Sequence, residues 1–319
     1  MKVKTCELKI YMKRFIASLL VLVPALGFAQ ETVSTSAALP FLDRTHGAVR
    51  SSMAGLGSGL SSDAFAHWGD ISGTVFSKDT FQVGVSYSLF QPSAVKSNMA
   101  DVGAFWHISD RWAVTAGVSF SAEQKEHRFD EYGTALSDFS PMSLVAGAGV
   151  AYKIIDCLSL GATFNYAMSS TLDGTTGAFA ADVKLTFRKY GMNISAFANN
   201  LGTGVKSSDG ASFSIPMSAG IEAGYGHSFG KSSLYGALQG QCWFGGPVGF
   251  SPSAALEYSF DDLFFARAGL HYGSKNNGLP SYGALGVGVK FCGVHIDLSW
   301  NAALGVMKNT FACGVGYSF

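Results

Sequence analysis

Long hydrophobic runs are missing from most of this chain. After the first thirty residues no stretch of 18 or more apolar residues occurs, so the sequence offers no transmembrane helix there. Charged residues are also few, at 14%, although 48% of the residues are hydrophobic. A soluble domain normally carries about 25% charged residues. The apolar residues must therefore face something other than an ordinary soluble core.

Chemically reactive patterns are scarce as well. Of the five Cys residues, Cys6 lies near the start, and Cys157, Cys242, Cys292 and Cys313 lack metal-like spacing. An oxidised pair such as Cys292 with Cys313 stays open as an alternative. No Ser-His-Asp or paired-carboxylate pattern is evident, so we expect no catalytic residue, no metal and no cofactor. The chain is therefore predicted not to be an enzyme.

The amino terminus has the pattern of an export signal. Lys13 and Arg14 precede the apolar run 15–26, and Gly27 and Ala29 are small residues at a cleavage site. We predict a signal peptide over residues 1–29; a buried amino-terminal helix is the alternative. Five of the 22 basic residues but only one of the 22 acidic residues lie in this leader. The remainder is mildly acidic, which argues against a nucleic-acid partner.

Residues 30–77 are polar, small and rich in Gly, and they lack a two-residue alternation. We interpret them as a segment that lies inside a barrel or at its periplasmic mouth, where polar backbone is screened from lipid. Residues 61–69 have the pattern of a short helix, with Ser62 or Asp63 as cap and Gly69 as stop.

From residue 78 to the end, apolar side chains alternate with small or polar ones, which predicts strands with one oily face. Fourteen candidate strands cover 81–89, 102–106, 112–120, 142–154, 158–168, 179–187, 192–196, 217–225, 234–242, 254–260, 264–272, 285–291, 294–300 and 311–319. Bacterial single-chain barrels have an even number of antiparallel strands. The predicted fold is an all-β transmembrane barrel of about 14 strands over residues 78–319.

The connections between these strands alternate in length. Four long ones cover 121–141, 170–177, 245–252 and 273–281, and four short ones cover 109–110, 155–157, 189–190 and 261–262. Short turns belong on the periplasmic side of such barrels and long loops outside. The carboxyl terminus supports the same fold, because Gly314, Tyr317 and Phe319 resemble the terminal assembly signal of outer-membrane barrels. We expect this last strand to close against the first.

The opposite strand faces carry polar side chains that would point into the lumen. The candidates for a lumenal binding or conduction path are Asp182, Lys184, Glu222, Glu257, Arg267, His295 and Asp297. A filled lumen of paired charges is the alternative, since an interior face must be polar or packed in either case.

Two groups of motifs resemble the PorV/PorQ-like outer-membrane proteins of Bacteroidota, which are related to the fatty-acid transporter barrels. The amino-terminal motif residues are Arg50, Met53, Gly55, Asp63 and Trp68; the second group includes the predicted turn Asn200, Leu201 and Gly202. The chain departs from the family where Gly69-Asp70 replaces the usual Asn-Pro after Trp68, and where Ala54 replaces one Gly of a pair.

This resemblance implies a fourteen-stranded barrel in the outer membrane of a Gram-negative bacterium, with its amino-terminal segment at or in the lumen. It also implies a role as an accessory of protein secretion or surface attachment, as in type IX secretion. The expected partners are then outer-membrane lipid, secretion-system components and exported proteins. The alternative functions are a channel or transporter for hydrophobic or small solutes, with a hydrophobic small molecule as partner, and an inert structural barrel.

Overall fold

A computed structural model describes most of the chain from residue 37 onward. The described residues are 37–60, 63–90, 96–127, 130, 132–134, 137–172, 174–206, 212–244, 249–273, 281–303 and 309–319. The predicted signal peptide lies outside them and stays a prediction. Within the described residues, no helix has the length and apolar character needed to cross a membrane.

The described residues form sixteen strands. They are β1 (Phe81–Phe90), β2 (Ser97–Ser109), β3 (Trp112–Glu123), β4 (Met142–Ile155), β5 (Leu158–Thr171), β6 (Gly174–Lys189), β7 (Met192–Gly202), β8 (Val205–Lys206), β9 (Ser212–Phe213), β10 (Ser218–Phe229), β11 (Ser232–Trp243), β12 (Gly249–Phe260), β13 (Phe264–His271), β14 (Tyr282–Phe291), β15 (Val294–Ala303) and β16 (Thr310–Ser318).

Fourteen of these strands close into one antiparallel barrel. Each pairs with its neighbour in sequence, except that β7 pairs with β10, because β8 and β9 form a separate two-stranded sheet. The last strand closes against the first, with Gln82 opposite Ser318 and Leu89 opposite Phe311. Closure leaves no open edge that lipid would have to cover. The predicted all-β barrel and its strand count are confirmed.

The two faces of the wall differ as the alternation predicts. Outward residues such as Val85, Ile221 and Leu298 expose 55%, 60% and 50% of their surface, whereas the inward Glu222 exposes none. An outer band of large apolar side chains is stable against hydrocarbon and not against water. The short turns and the carboxyl terminus share the inner end of the barrel, and the longer connections share the outer end.

Two predictions about the connections differ from the structure. The connection between β5 and β6 is not long, because the strands continue to Thr171 and restart at Gly174. Asn200, Leu201 and Gly202 do not form a turn but end β7. Asn200 has φ 56° and marks a β-bulge in β7, where Asn199 and Asn200 lie opposite the single residue Asp182 of β6.

The amino-terminal segment, described over residues 37–60 and 63–76, lies inside the barrel; we call it the plug. It contains helix α1 (Ala48–Ser52) and 3-10 helices over Pro40–Asp43, Ala66–Trp68 and Ile71–Phe76. Of the helix predicted over 61–69, the described residues 63–69 form only the three-residue helix Ala66–Trp68, and Asp63 accepts a hydrogen bond from the Phe65 amide. The other cap candidate, Ser62, lies outside the described residues. The plug passes from the outer end of the barrel to the inner end, where β1 begins.

Candidate functional site

One side of the lumen holds the plug through buried charges on β6 and β10. The Glu222 carboxylate accepts hydrogen bonds from the amides of Gly57 and Ser58, at 3.1 and 2.9 Å, and from the Ser58 hydroxyl at 2.6 Å. Lys184 donates to the Ser58 hydroxyl and to the carbonyl of Gly69. These bonds join two separate stretches of the plug to the wall. We call this the anchored side.

Asp70 of the plug extends the same charge network. Its carboxylate lies 3.7 Å from Lys184 Nζ and 3.8 Å from an Arg188 terminal nitrogen, and neither of its oxygens accepts a hydrogen bond from the described residues. Burial raises the pKa of Asp70 to about 7, and the attraction of Lys184 and Arg188 opposes that rise. Asp70 is therefore a strained, titratable point of the anchored side.

Two histidines of the plug bind polar residues of the wall. His46 Nδ1 lies 3.0 Å from Asp101, and His67 contacts Thr115 at 3.0 Å and Asn165 at 2.8 Å. Burial lowers the pKa of His67, so its ring is neutral at neutral pH. These contacts fix the middle of the plug against β2, β3 and β5.

At the outer end, residues 42–44 cross the mouth of the barrel and contact several strands. The Trp243 indole donates to Asp43 at 3.0 Å, and Arg44 donates to Ser97 at 3.0 Å. The side-chain amide of Asn200 donates to the Leu42 carbonyl at 3.4 Å. Burial raises the pKa of Asp43 to about 7. Residues 42–44 therefore tie the plug to β2, β7 and β11 at the mouth.

An apolar cluster lies beside this closure. Leu39 and Phe41 of the plug pack with buried wall and loop residues, which are Val145, Ala167, Ala178, Ala180, Val205 and Ile215. Among them Ile215 and Ala167 are fully buried. Two further apolar clusters join the plug to the wall, one around Met53, Leu56 and Leu60 and one around Ile71 and Val75. The cluster around Leu39 and Phe41 is the one that lies at the outer end of the lumen.

On the opposite wall, β12 to β15, the buried charged residues pair with one another. Arg267 Nε lies 2.6 Å from Glu257, and its Nη1 lies 2.6 Å from Asp297. The guanidinium also lies 5.1 Å above the centre of the Phe265 ring. Near the outer end this wall packs closely on α1: a side chain at Gly269 would lie 2.6 Å from the Ala54 amide nitrogen.

Farther toward the inner end, the plug and this wall separate around a cavity. The space that the centre of a water molecule can occupy in it is about 70 Å³. Plug residues such as Leu60, Asp63 and Phe65 line one side, and Glu257, Arg267, His295 and Asp297 are on the other. We call this cavity the inner chamber.

The seven lumen residues predicted from the alternation all lie on the inward face, in two separate groups. Lys184 and Glu222 bind the plug, and Asp182 binds Asn165 and the Asn200 amide. Glu257, Arg267 and Asp297 bind one another. His295 instead donates to or accepts from the Ser318 hydroxyl at 3.0 Å, at the inner rim.

The amino-terminal motif residues organise the plug itself. Arg50 donates to the Gly55 carbonyl at 2.6 Å, Met53 is fully buried, and the Trp68 ring stacks on His46 with centroids 4.4 Å apart. Sequence reasoning did not find the plug residues that contact the wall, notably His46, Ser58, His67 and Asp70. The plug has no regular period, so no pattern in the sequence marks them.

The cysteines contribute no site among the described residues. Cys157, Cys242, Cys292 and Cys313 are free, so the alternative of a Cys292–Cys313 disulfide is wrong for this structure. Cys313 pairs across the wall with Leu298, far from the turn that holds Cys292. Within the described ranges, no group of three or more His, Cys, Asp or Glu residues could hold a metal ion.

Known proteins of similar structure are outer-membrane channels. The P. putida toluene transporter TodX has a TM-score of 0.59 and 14% identity, over 86% of this chain and 98% of its own. The Ralstonia pickettii toluene transporter TbuX has a TM-score of 0.59 and 12% identity, with the same coverage. A Pseudomonas aeruginosa FadL homologue has a TM-score of 0.56 and 11% identity, over 92% of this chain and 100% of its own.

No family model and no curated protein sequence matches this chain. The shared fold is therefore the finding: a closed fourteen-stranded antiparallel barrel, as in these channels. Together with the apolar outer band, it gives the outer-membrane location of a Gram-negative bacterium that the sequence predicted. The narrower resemblance to PorV/PorQ-like proteins stays a prediction.

Proposed function

We propose that this protein passes small hydrophobic molecules across the outer membrane without chemical conversion. The observation that carries the proposal is the apolar cluster at the outer mouth, where Leu39 and Phe41 of the plug occupy an apolar compartment of the lumen. Such a compartment binds greasy molecules because it removes their surface from water. The similarity in fold to toluene transporters supports the same function.

Beside the cluster, the pairing between β7 and β10 stops short of the outer end of β7, and we infer that such molecules enter there. β7 pairs with β10 only up to Asn199, opposite Ser218, while Leu201 and Gly202 pair with β6 alone. The bulge at Asn200 lies at this point and is held by the Asp182 carboxylate, which accepts from its amide at 2.7 Å. A molecule dissolved in the outer leaflet would reach the cluster here without crossing the polar loops.

Passage requires the plug to move, and the contacts favour one direction. The anchored side binds the plug through Glu222 and Lys184, whereas α1 meets the opposite wall mostly through packing on glycines such as Gly269 and Gly286. We infer that α1 shifts away from β13–β16 while the anchored side stays in place. This movement would connect the apolar cluster with the inner chamber.

The test is uptake of radiolabelled toluene by cells that lack other hydrocarbon channels. Expression of the full chain should raise the initial uptake rate. Leu39→Gln should lower it, because an amide in the cluster replaces apolar contact; Leu172→Gln, on the exposed β5–β6 turn, is the matched control. Equal uptake with and without the protein would refute the proposal.

A role as an accessory of type IX-like protein secretion is the second candidate. It is supported by the resemblance of the motif residues Arg50, Met53 and Trp68, which in this chain organise the plug. Secretion-machinery subunits or exported proteins that co-purify at near-stoichiometric amounts would favour this role. A barrel that purifies with a bound hydrophobic molecule instead would favour transport.

A further inference from the structure

The inner chamber differs from the apolar cluster in its chemistry. Its plug side is largely apolar, with Val49, Leu60 and Phe65, whereas its wall side carries charged and polar groups. By the same measure of volume, one water molecule needs roughly 10–15 Å³, so the chamber holds several waters or one small organic molecule.

The wall side of the chamber has hydrogen-bonding capacity that the protein does not use. Arg267 exposes only 8% of its surface, and among the described residues it donates only through Nε and Nη1. Its second terminal nitrogen, Nη2, is left for an occupant of the chamber. Glu257 and Asp297 each use one carboxylate oxygen for Arg267, and the other oxygen of each has no partner among those residues.

A pure hydrocarbon is a poor occupant for such a place. It would displace water from the free atoms of Arg267, Glu257 and Asp297 and return no hydrogen bond, at a cost of about 1–3 kcal/mol for each group left unpaired. A molecule with an apolar body and one polar group can instead place its body against Leu60 and Phe65 and its polar group toward the wall.

The charges that line the chamber indicate which kind of polar group its ligand carries. Three carboxylates, Asp63, Glu257 and Asp297, line the chamber with the guanidinium of Arg267. Lys290 also lines it, but its ammonium lies 3.6 Å from Asp79, which offsets its charge. Arg50 of the plug offsets the charge of Asp63 in the same way. With both offsets counted, four carboxylates face three cations, so the surroundings remain acidic, which favours hydrogen-bond donors and cations and disfavours carboxylates.

We propose that the inner chamber is a binding site for small apolar molecules that carry one donor group, such as an amine or a hydroxyl. The site is built from Phe65 and Leu60 of the plug and from Glu257, Arg267 and Asp297 of the wall. The inference that the chamber binds this class of molecule stands without the function proposed above. Only the further statement that the ligand is a transported molecule rests on that function.

Three probes of one ring size separate the possibilities: benzylamine, toluene and benzoate. Binding to the purified full-length protein in detergent is measured by calorimetry and by saturation-transfer NMR. We expect benzylamine to bind most tightly and benzoate least. Asp297→Asn and, independently, Asp63→Asn should each weaken benzylamine binding roughly tenfold, the loss of one charge-assisted hydrogen bond. Asp261→Asn, in the turn after β12 outside the lumen, is the matched control and should have no effect.

The outcomes separate this inference from the proposed function. Toluene or benzoate binding as tightly as benzylamine, or benzylamine binding unchanged in both Asp variants, would overturn the inference. Absence of binding by all three probes would overturn it as well, and would leave a chamber of water only. Toluene uptake by cells is read separately with the same variants, so failure of uptake counts against the proposed function alone.

Discussion

The two sides of the lumen use the same kinds of residue for different ends. On the anchored side, Lys184 and Glu222 form their hydrogen bonds with groups of the plug. On the opposite side, Arg267 is paired by Glu257 and Asp297 of its own wall, and the plug leaves a chamber beside them. Buried charges therefore bind a neighbouring segment only when the wall does not neutralise them first.

This difference gives the plug an axis of movement. Detaching it from β6 and β10 would leave Glu222 and Lys184 unpaired, which is costly for buried charges. Detaching it from β13–β16 mainly exposes small apolar surface, since the charges there stay paired. The four predictions below challenge this contrast, beginning with the largest expected effect.

Glu222→Ala should loosen the plug most. It leaves the amides of Gly57 and Ser58 and the Ser58 hydroxyl without their acceptor, at a cost of roughly 3 kcal/mol or more. Hydrogen exchange at the Gly57 and Ser58 amides should then accelerate by roughly a hundredfold. The matched change Glu257→Ala, on the opposite wall, should leave exchange at these two amides close to that of the unmodified protein. Similar acceleration in both variants would contradict the contrast.

Lys184→Met should have a smaller effect of the same kind. It removes the donor to the Ser58 hydroxyl and to the Gly69 carbonyl and leaves Asp70 with Arg188 alone, which we expect to cost about 2 kcal/mol. Limited proteolysis between Ser58 and Asp70 reports the loosening. Cleavage no faster than in the unmodified protein would show that Lys184 does not hold the plug.

The docked plug should also respond to pH through Asp70. Its pKa is about 7 when docked, against 3.8 for an ordinary solvated Asp carboxyl, so its contribution to docking is complete below pH 3.8 and is lost as pH rises through 7. Between pH 6 and 7 the change is at most about 1.4 kcal/mol. The protection factors of the plug amides, which are corrected for the base catalysis of exchange itself, should fall over that interval, and Asp70→Asn should flatten the dependence. A dependence unchanged in the Asn variant would assign it to another group.

Trp243→Phe should have the smallest effect. It removes one hydrogen bond, from the indole to Asp43 at 3.0 Å, while it keeps an aromatic ring at the mouth. The expected cost is about 1 kcal/mol, confined to residues 39–44. Exchange at the Gly57 and Ser58 amides serves as the internal control and should not change. Acceleration there would mean that the mouth and the anchored side open together.

The barrel could be predicted from the sequence, and the plug's contacts could not. Alternation such as Phe81, Val83 and Val85 has a fixed period of two, and the sheet geometry converts that period directly into faces. Lys184 and Glu222 could be assigned to the lumen for the same reason. Their partners Ser58 and Asp70 lie in a segment without a period, more than 100 positions away in sequence, so only the folded chain brings them together.

The bulge at Asn200 shows a second limit. Asn followed by Leu-Gly predicts a turn, because Asn tolerates positive φ and Gly follows closely. The pairing of β7 with β6 absorbs that positive φ as an extra residue instead. Local propensity alone does not distinguish a turn from a bulge, since both need the same backbone angle.

Two engineered disulfides test the direction of plug movement most directly. Ser72 and Thr186 lie with hydroxyls 2.7 Å apart on the anchored side, and Ser51 and Asn301 are hydrogen bonded at 3.0 Å on the opposite side. Each pair is changed to Cys in a background in which the four free cysteines are replaced by Ser, and toluene uptake is measured before and after reduction. If α1 moves from β13–β16, the oxidised 72–186 bridge should leave uptake intact, and the oxidised 51–301 bridge should abolish it until reduced. Uptake that survives the 51–301 bridge would contradict passage along that wall.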